Sequence, residues 1–205
     1  MKRLVVIDAH PAIRVAVRAY LEEHGDLMVV DEAGNAVEGI ETVRKQRPDL
    51  VILDPNLSGG DGLGLIRRLK LSCEGVRILI LAGQEEAVYL RKAMEEGVDG
   101  FVGKSRDMSV VLNTVNAVLS GYRCFPGGGG DQTSLRTVDE RLMTLSMREL
   151  TVLQHIARGY SNKQIATLLF ISEKTVSTHK ARVLTKLNLK TVIDLAQYAR
   201  DRNLV

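Results

Sequence analysis

Val5-Val6-Ile7-Asp8-Ala9-His10-Pro11-Ala12-Ile13-Arg14 is an apolar strand pattern that stops on one carboxylate, with a helix-like segment beginning after the proline. A lone acid at the carboxyl end of a strand is a common position for ligand chemistry in an α/β sheet. A carboxylate site for a divalent metal usually needs more than one acid. This stretch therefore predicts a strand, a loop and a helix, with Asp8 at a site rim and its partner elsewhere in the chain.

Outward from Asp8, short apolar runs alternate with longer amphipathic ones. Leu4–Asp8, Met28–Val30, Leu50–Asp54, Ile78–Leu81 and Gly100–Val102 read as strands. Segments 11–24, 35–47, 62–72, 85–97 and 107–120 read as helices, with Val111, Val115 and Val118 at helical spacing. Five βα repeats of this size predict a five-stranded parallel sheet covered by helices on both faces. Loops after the strand ends then gather at one edge. The residues expected there are Asp8, Asp54, Ala82 and Lys104. Two carboxylates and an ammonium so placed could hold Mg²⁺ and stabilise phosphate on an aspartate.

Gly121 to Ser134 contains a proline and the glycines 127–130, and it reads as a flexible linker. Net charge changes sign at the same place. Residues 1–120 hold 15 Lys/Arg against 18 Asp/Glu, a balance of −3, whereas residues 121–205 hold 13 against 7, a balance of +6. The second part is thus expected to face a polyanion. The expected organisation is a first domain over 1–121, a linker over 122–143 and a second domain over 144–205.

Beyond the linker no strand pattern occurs. Ser146-Met-Arg-Glu149 and Ser161-Asn-Lys-Gln164 are capping boxes that each open an apolar-periodic helix, and Ser172 is a third N-cap. A short helix at 161–169, a tight turn and a helix at 173–188 have the proportions of a helix-turn-helix, followed by a helix from about 191 to 202. Between Lys163 and Lys190 six basic residues (163, 174, 180, 182, 186 and 190) face one acid, Glu173. Val176, Val183, Leu184 and Leu187 form the predicted buried face, leaving Ser177, Thr178, Lys180, Ala181 and Arg182 largely on faces that could meet a major groove. His179 is expected to pack or to make a polar contact.

Hydrophobic residues make up 45% of the 205-residue chain and charged residues 26%, the profile of a soluble globular protein. The apolar run at Leu4–Ile7 is too short for a signal peptide and no run approaches a membrane span, so a cytoplasmic protein without membrane partners is expected. Cys73 and Cys124 form no CxxC pair and read as reduced thiols.

The pattern Asp8, His10-Pro11, Val51-Ile52-Leu53-Asp54, Asp61-Gly62 and Lys104 resembles the receiver domain of bacterial two-component response regulators. Leu145-Ser-x-Arg-Glu149, Gly159-Tyr-Ser-Asn-Lys163, Ile165-Ala166 and Lys174-Thr-Val-Ser-Thr-His179 resemble the DNA-binding domain of the NarL/LuxR class. The resemblance implies a flavodoxin-like receiver followed by a small all-α helix-turn-helix domain. It also implies a phosphoacceptor at Asp54, a charge-pairing Lys104, and a Mg²⁺ site of Asp8, Asp54 and the main-chain carbonyl of Asn56. Ala82 and Phe101 stand at the two switch positions. Ser177, Thr178 and Ala181 correspond to base-reading positions, and Lys163, Lys174, Thr175, Lys180, Arg182 and Lys190 to phosphate contacts. The last helix, with Val192, Ile193, Leu195, Ala196 and Ala199, resembles a dimerisation helix, while packing onto its own domain accounts for part of the apolar pattern. Double-stranded DNA, a second copy of the chain, RNA polymerase and a sensor histidine kinase are the implied partners.

Two positions depart from the pattern. Ala9 stands where the family usually has a second acid that ligates the metal directly, and Ala82 replaces the Ser/Thr that contacts the phosphoryl group. Ser58-Gly59 also stands where Met-Pro is common. Alanine neither coordinates a hard cation nor donates a hydrogen bond. The expectation is a DNA-binding transcriptional regulator in which Asp54 phosphorylation is weak or does not control activity. The alternatives are conventional phosphorylation-dependent activation and an adaptor acting through the receiver. An aspartate-nucleophile phosphatase would need an acid where Asn56 stands, so no enzyme is expected.

Overall fold

The computed structural model describes residues 1–57, 62–83, 87–126, 139–202 and 204. The chain divides into two compact units, Met1–Leu135 and Arg136–Val205. Ser58, Gly59, Asp61 and the glycines 127–130 lie outside the described residues.

In the first unit, β1 (Lys2–Ile7), β2 (Leu27–Ala33), β3 (Leu50–Leu53), β4 (Arg77–Ala82) and β5 (Gly100–Gly103) alternate with α1 (Pro11–His24), α2 (Ala36–Gln46), α3 (Gly62–Ser72), α4 (Ala87–Glu95) and α5 (Met108–Leu119). All strand pairings are parallel, in the order β2-β1-β3-β4-β5. Every residue of Leu4–Ile7 and Leu50–Leu53 is buried, which is why these strands read as continuous apolar runs rather than as alternating ones. Val17, Leu21, Val111, Val115 and Val118 close over one face of the sheet. Pro11 opens α1, and Asn35 caps α2 by accepting from the main-chain N–H groups of Val37 and Glu38. The strand order reverses between β1 and β3, so the carboxyl ends of these two neighbours open the crevice where such sheets bind ligands.

The second unit comprises α6 (Glu140–Met143), α7 (Met147–Ala157), α8 (Asn162–Leu168), α9 (Glu173–Leu187) and α10 (Val192–Asp201). Capping boxes open α7, α8 and α10, and Ser172 caps α9 through the N–H of Thr175. Leu150, Leu153, Ile165, Val176, Val183, Leu187, Leu195 and Ala199 are among its buried side chains. No helix among the described residues is long and apolar enough to cross a membrane.

The segment expected as linker carries structure at both ends. Cys124 bridges Gly100, with Phe101 N–H donating to the Cys124 carbonyl at 2.9 Å and Cys124 N–H to that of Asp99 at 3.0 Å. At the other end α6 buries Leu142, and Asp139 accepts from Tyr198 Oη at 2.9 Å and from Arg202 Nε at 2.5 Å. Polar and glycine-rich composition marks the centre of a linker well; it is silent about flanking residues whose main chain finds an edge strand or a distant helix.

Gly100 marks a close approach. A Cβ there would lie 2.8 Å from Leu79 Cδ1, 2.9 Å from Val118 Cγ2 and 3.3 Å from the Cys124 carbonyl. Overpacking of this kind costs about 1–3 kcal/mol. Gly100→Ala is therefore expected to lower the urea midpoint of the first unit by a corresponding amount, and a midpoint equal to that of the parent chain would contradict this packing.

Candidate phosphoacceptor pocket and nucleic-acid interface

Ile7 and Leu53 are register partners, so Asp8 and Asp54 follow side by side. Both are almost fully buried, at 1% and 2% exposure. The Asp54 N–H donates to the Ile7 carbonyl at 2.8 Å, and Arg14 Nη1 donates to the Asp8 carbonyl at 2.7 Å. Lys104 follows β5, two strands from β3, a gap of about 10 Å that a lysine stem can span. Its Nζ lies 2.6 Å from Asp8 Oδ2 and 2.8 Å from Asp54 Oδ2. The other oxygens face the loops: Asp8 Oδ1 accepts from His10 N–H, and Asp54 Oδ1 from Asn56 N–H, both at 2.8 Å.

Burial and the adjacent Asp8 push the Asp54 carboxyl above the ordinary aspartate value, while Lys104 opposes them. Burial alone would lower the Lys104 ammonium, but Asp54 and Asp8 raise it, so the lysine stays charged. The pocket thus brings together Asp8, Asp54 and Lys104 as expected. Ala82 ends β4 beneath them, 1% exposed, and its carbonyl accepts the Lys104 N–H at 2.6 Å. Phe101 is buried beside Val110, Cys124 and Phe125.

One pocket residue had only a motif role in the sequence. The His10 Nδ1 lies 2.8 Å from Asp8 Oδ1 and 3.9 Å from Asp54 Oδ2. Its position two residues after the strand-end acid was the available signal; the turn that folds its ring back over Asp8 was not.

In the second unit α8 and α9 pack together, joined by a hydrogen bond from Asn162 Nδ2 to Ser177 Oγ at 3.0 Å. Arg148, buried in α7, donates to the Leu169 carbonyl at 2.6 Å and so holds the turn that passes through Phe170, whose φ is 52°. Lys163, Lys174, Ser177, Thr178, Ala181, Arg182 and Lys190 are exposed, and Thr175 and Lys180 partly so. The Thr175 hydroxyl lies 2.8 Å from that of Ser172 within the cap, and the Thr178 hydroxyl bonds the Lys174 carbonyl. His179 is half-buried, its Nδ1 without a hydrogen-bond partner among the described residues.

Two features of the second unit are set by its internal contacts. Lys186, counted with the basic face, is anchored internally: its Nζ bonds Glu149 Oε2 at 2.7 Å and the Thr144 carbonyl at 3.0 Å. Of the five apolar residues named on the last helix, Leu195 and Ala199 are fully buried, on a helix that packs against α7. Leu195 and Ala199 mark the inward face, whereas Val192 and Ile193 at the start of α10 are exposed.

A doubly wound sheet with an acidic pair and a lysine at its strand ends, in one chain with a helix-turn-helix, defines a receiver joined to a DNA-binding unit. Comparison with known proteins agrees. Residues 4–116 match the response regulator receiver domain, and residues 143–199 match the bacterial regulatory proteins of the luxR family. The chain belongs to the LuxR-type response regulators, which are transcriptional regulators of two-component systems. A Pseudomonas aeruginosa protein assigned as a transcriptional regulator is 41% identical over the whole of both chains. The DNA-binding transcriptional activator EvgA of Escherichia coli is 32% identical over 96% of each. A solved structure of two RcsB dimers bound to two parallel DNAs matches 97% of this chain and 98% of its own, with 25% identity and a TM-score of 0.58.

The Lys186–Glu149 pair yields a pH test. Burial raises the Glu149 carboxyl, but Lys186 and the Ser146 cap outweigh it and hold its value below that of a free glutamate. A depressed acid stabilises the fold above its unfolded value and loses that contribution as pH falls through its folded value. Lys186→Met is expected to destabilise the second unit by about 1–2 kcal/mol at pH 7, a figure reduced for the partial exposure of the lysine. The difference should shrink at acid pH, as the carboxyl takes up its proton. Thermal unfolding of both chains at pH 7 and at acid pH checks this.

Proposed function

We propose that this regulator reads DNA through α8 and α9 and that phosphorylation of Asp54 is weak or does not control it. The observation that carries the second half is the pocket itself: Asp54 and Lys104 are paired, yet methyl groups stand at positions 9 and 82. The donors present suit a hard cation only in part. Asp8, Asp54 and the Asn56 main-chain carbonyl offer oxygen, whereas Ala9 offers none. Mg²⁺ held there would neutralise charge on an incoming phosphoryl group. Losing one ligand costs at least about tenfold in affinity, the scale found even for supporting residues of metal sites. The absent Ser/Thr contact forfeits roughly 1.5–3 kcal/mol with the phosphate. A ligand shifts a two-state domain only by its preference for one state, so both losses weaken the switch.

Conventional activation is the second reading, favoured by the intact Lys104–Asp54 pair. Incubation with Mg²⁺ and acetyl phosphate separates the two. Substoichiometric phospho-Asp54 with unchanged DNA affinity is expected; stoichiometric labelling with tighter binding would overturn the proposal. Genome-wide occupancy of Asp54→Ala is expected to equal that of the parent, and its collapse would argue the same way.

For DNA reading, the exposed Lys163, Lys174, Arg182 and Lys190, with Thr175 and Lys180, are assigned to phosphate, and Ser177, Thr178 and Ala181 to base edges. A second copy of the chain would present a second half-site reader, as helix-turn-helix dimers do. Arg182→Ala is expected to weaken binding evenly across sequences and to reduce the salt slope by about 1. Ser177→Ala should instead change the sequences selected from a random DNA pool, leaving the slope in place. A sequence preference that follows Arg182 rather than Ser177 would reverse the assignment.

A further inference from the structure

We propose that the Asp8–His10–Asp54 pocket binds a divalent transition-metal ion of the Zn²⁺ and Co²⁺ class in preference to Mg²⁺, with His10 Nδ1 taking the coordination place that Ala9 cannot fill. The inference rests on the reading of Ala9 as a lost oxygen ligand and concerns the same pocket.

Three donor atoms from Asp8, His10 and Asp54 lie within 4.8 Å of one another, two of them on nearly fully buried carboxylates. Metal–nitrogen and metal–oxygen bonds to such ions are about 2.0–2.2 Å, so the ligands of a tetrahedral site sit about 3.3–3.6 Å apart. His10 Nδ1 lies 3.9 Å from Asp54 Oδ2 and makes a 2.8 Å hydrogen bond to Asp8 Oδ1, a contact that an ion would replace. An ion between them needs only small movements of the His10 ring. Two carboxylates against one Lys104 ammonium leave the pocket formally −1 with a neutral imidazole, a balance that still attracts a dication.

Ligand chemistry decides which dication. Mg²⁺ demands oxygen donors in near-ideal octahedral geometry, while imidazole suits Zn²⁺, Ni²⁺ and Cu²⁺. One nitrogen with two carboxylates, open to water on a further side, is the donor set of an accessible transition-metal site. The supporting contacts are in place. His10 N–H and Asn56 N–H each hold one carboxylate oxygen, and Arg14 holds the Asp8 carbonyl. The His10 side chain is 40% exposed, which provides the entry path.

The full chain, freed of metal, is titrated with Co²⁺ followed by visible absorption, and with Zn²⁺ and Mg²⁺ followed by calorimetry. One Co²⁺ per chain is expected, bound at least about tenfold more tightly than Mg²⁺. His10→Ala should lose at least about tenfold in Co²⁺ affinity with an unchanged melting temperature, Asp54→Asn should lose a similar amount, and His24→Ala should lose none. Ala9→Asp, which restores an oxygen ligand, should gain about tenfold for Mg²⁺. Equal Co²⁺ binding by His10→Ala and the parent, or Mg²⁺ bound as tightly as Co²⁺ by the parent, would overturn the proposal. Stoichiometric labelling of Asp54 in Mg²⁺ would count against the proposed insensitivity to phosphate alone, because the Co²⁺ titration reads a different ligand.

Discussion

The first unit is organised around one ammonium group held between two buried carboxylates. Two acids at neighbouring strand ends, removed from water, would repel one another and favour protonation. Lys104 relieves that repulsion by reaching both, at 2.6 and 2.8 Å. The arrangement constrains the fold around it. Strands β1 and β3 must be register neighbours, β5 must stand two places from β3, and the lysine stem must pass the end of β4. Ala82 presents only a methyl there, and its carbonyl fixes the Lys104 main chain. At this place the chain offers a methyl group where a hydroxyl could have met a phosphoryl group.

Much of this was visible in the sequence because it is written in local signals. Buried parallel strands leave unbroken apolar runs, as in Leu50–Leu53, and helix starts leave capping residues such as Ser146 and Ser161. The strand-end positions of Asp8, Asp54 and Lys104 follow from the alternation of elements alone. What escaped depends on contacts between distant residues. Glu149 and Lys186 are 37 positions apart, and nothing near either predicts that the lysine turns inward. The helix α6 has four residues, too few for periodicity to register, and it stands because Leu142 is buried within its unit. The face shared by Leu195 and Ala199 was legible as apolar, but periodicity cannot say whether such a face meets its own domain or another chain.

In the second unit the loss of Lys186 to an internal pair reshapes the charge that α9 offers. The remaining cations on α8 and α9 lie at Lys163, Lys174, Lys180 and Arg182, on the first turn of α8 and the first ten residues of α9. Helix-turn-helix proteins generally place the beginning of the second helix in the groove, and Lys174, Lys180 and Arg182 lie in that part of α9. Glu149 thereby pairs with one cation of α9 and ties the end of that helix to the start of α7.

The bridge between Gly100 and Cys124 bears on a different property. An outermost parallel strand offers a row of unpaired amides on which another extended chain could build. Here the Phe101 N–H and the Asp99 carbonyl of that margin are already engaged by Cys124. At that point of the border another extended chain could pair only by displacing the chain's own segment, so the residues that leave α5 shorten the open edge of β5.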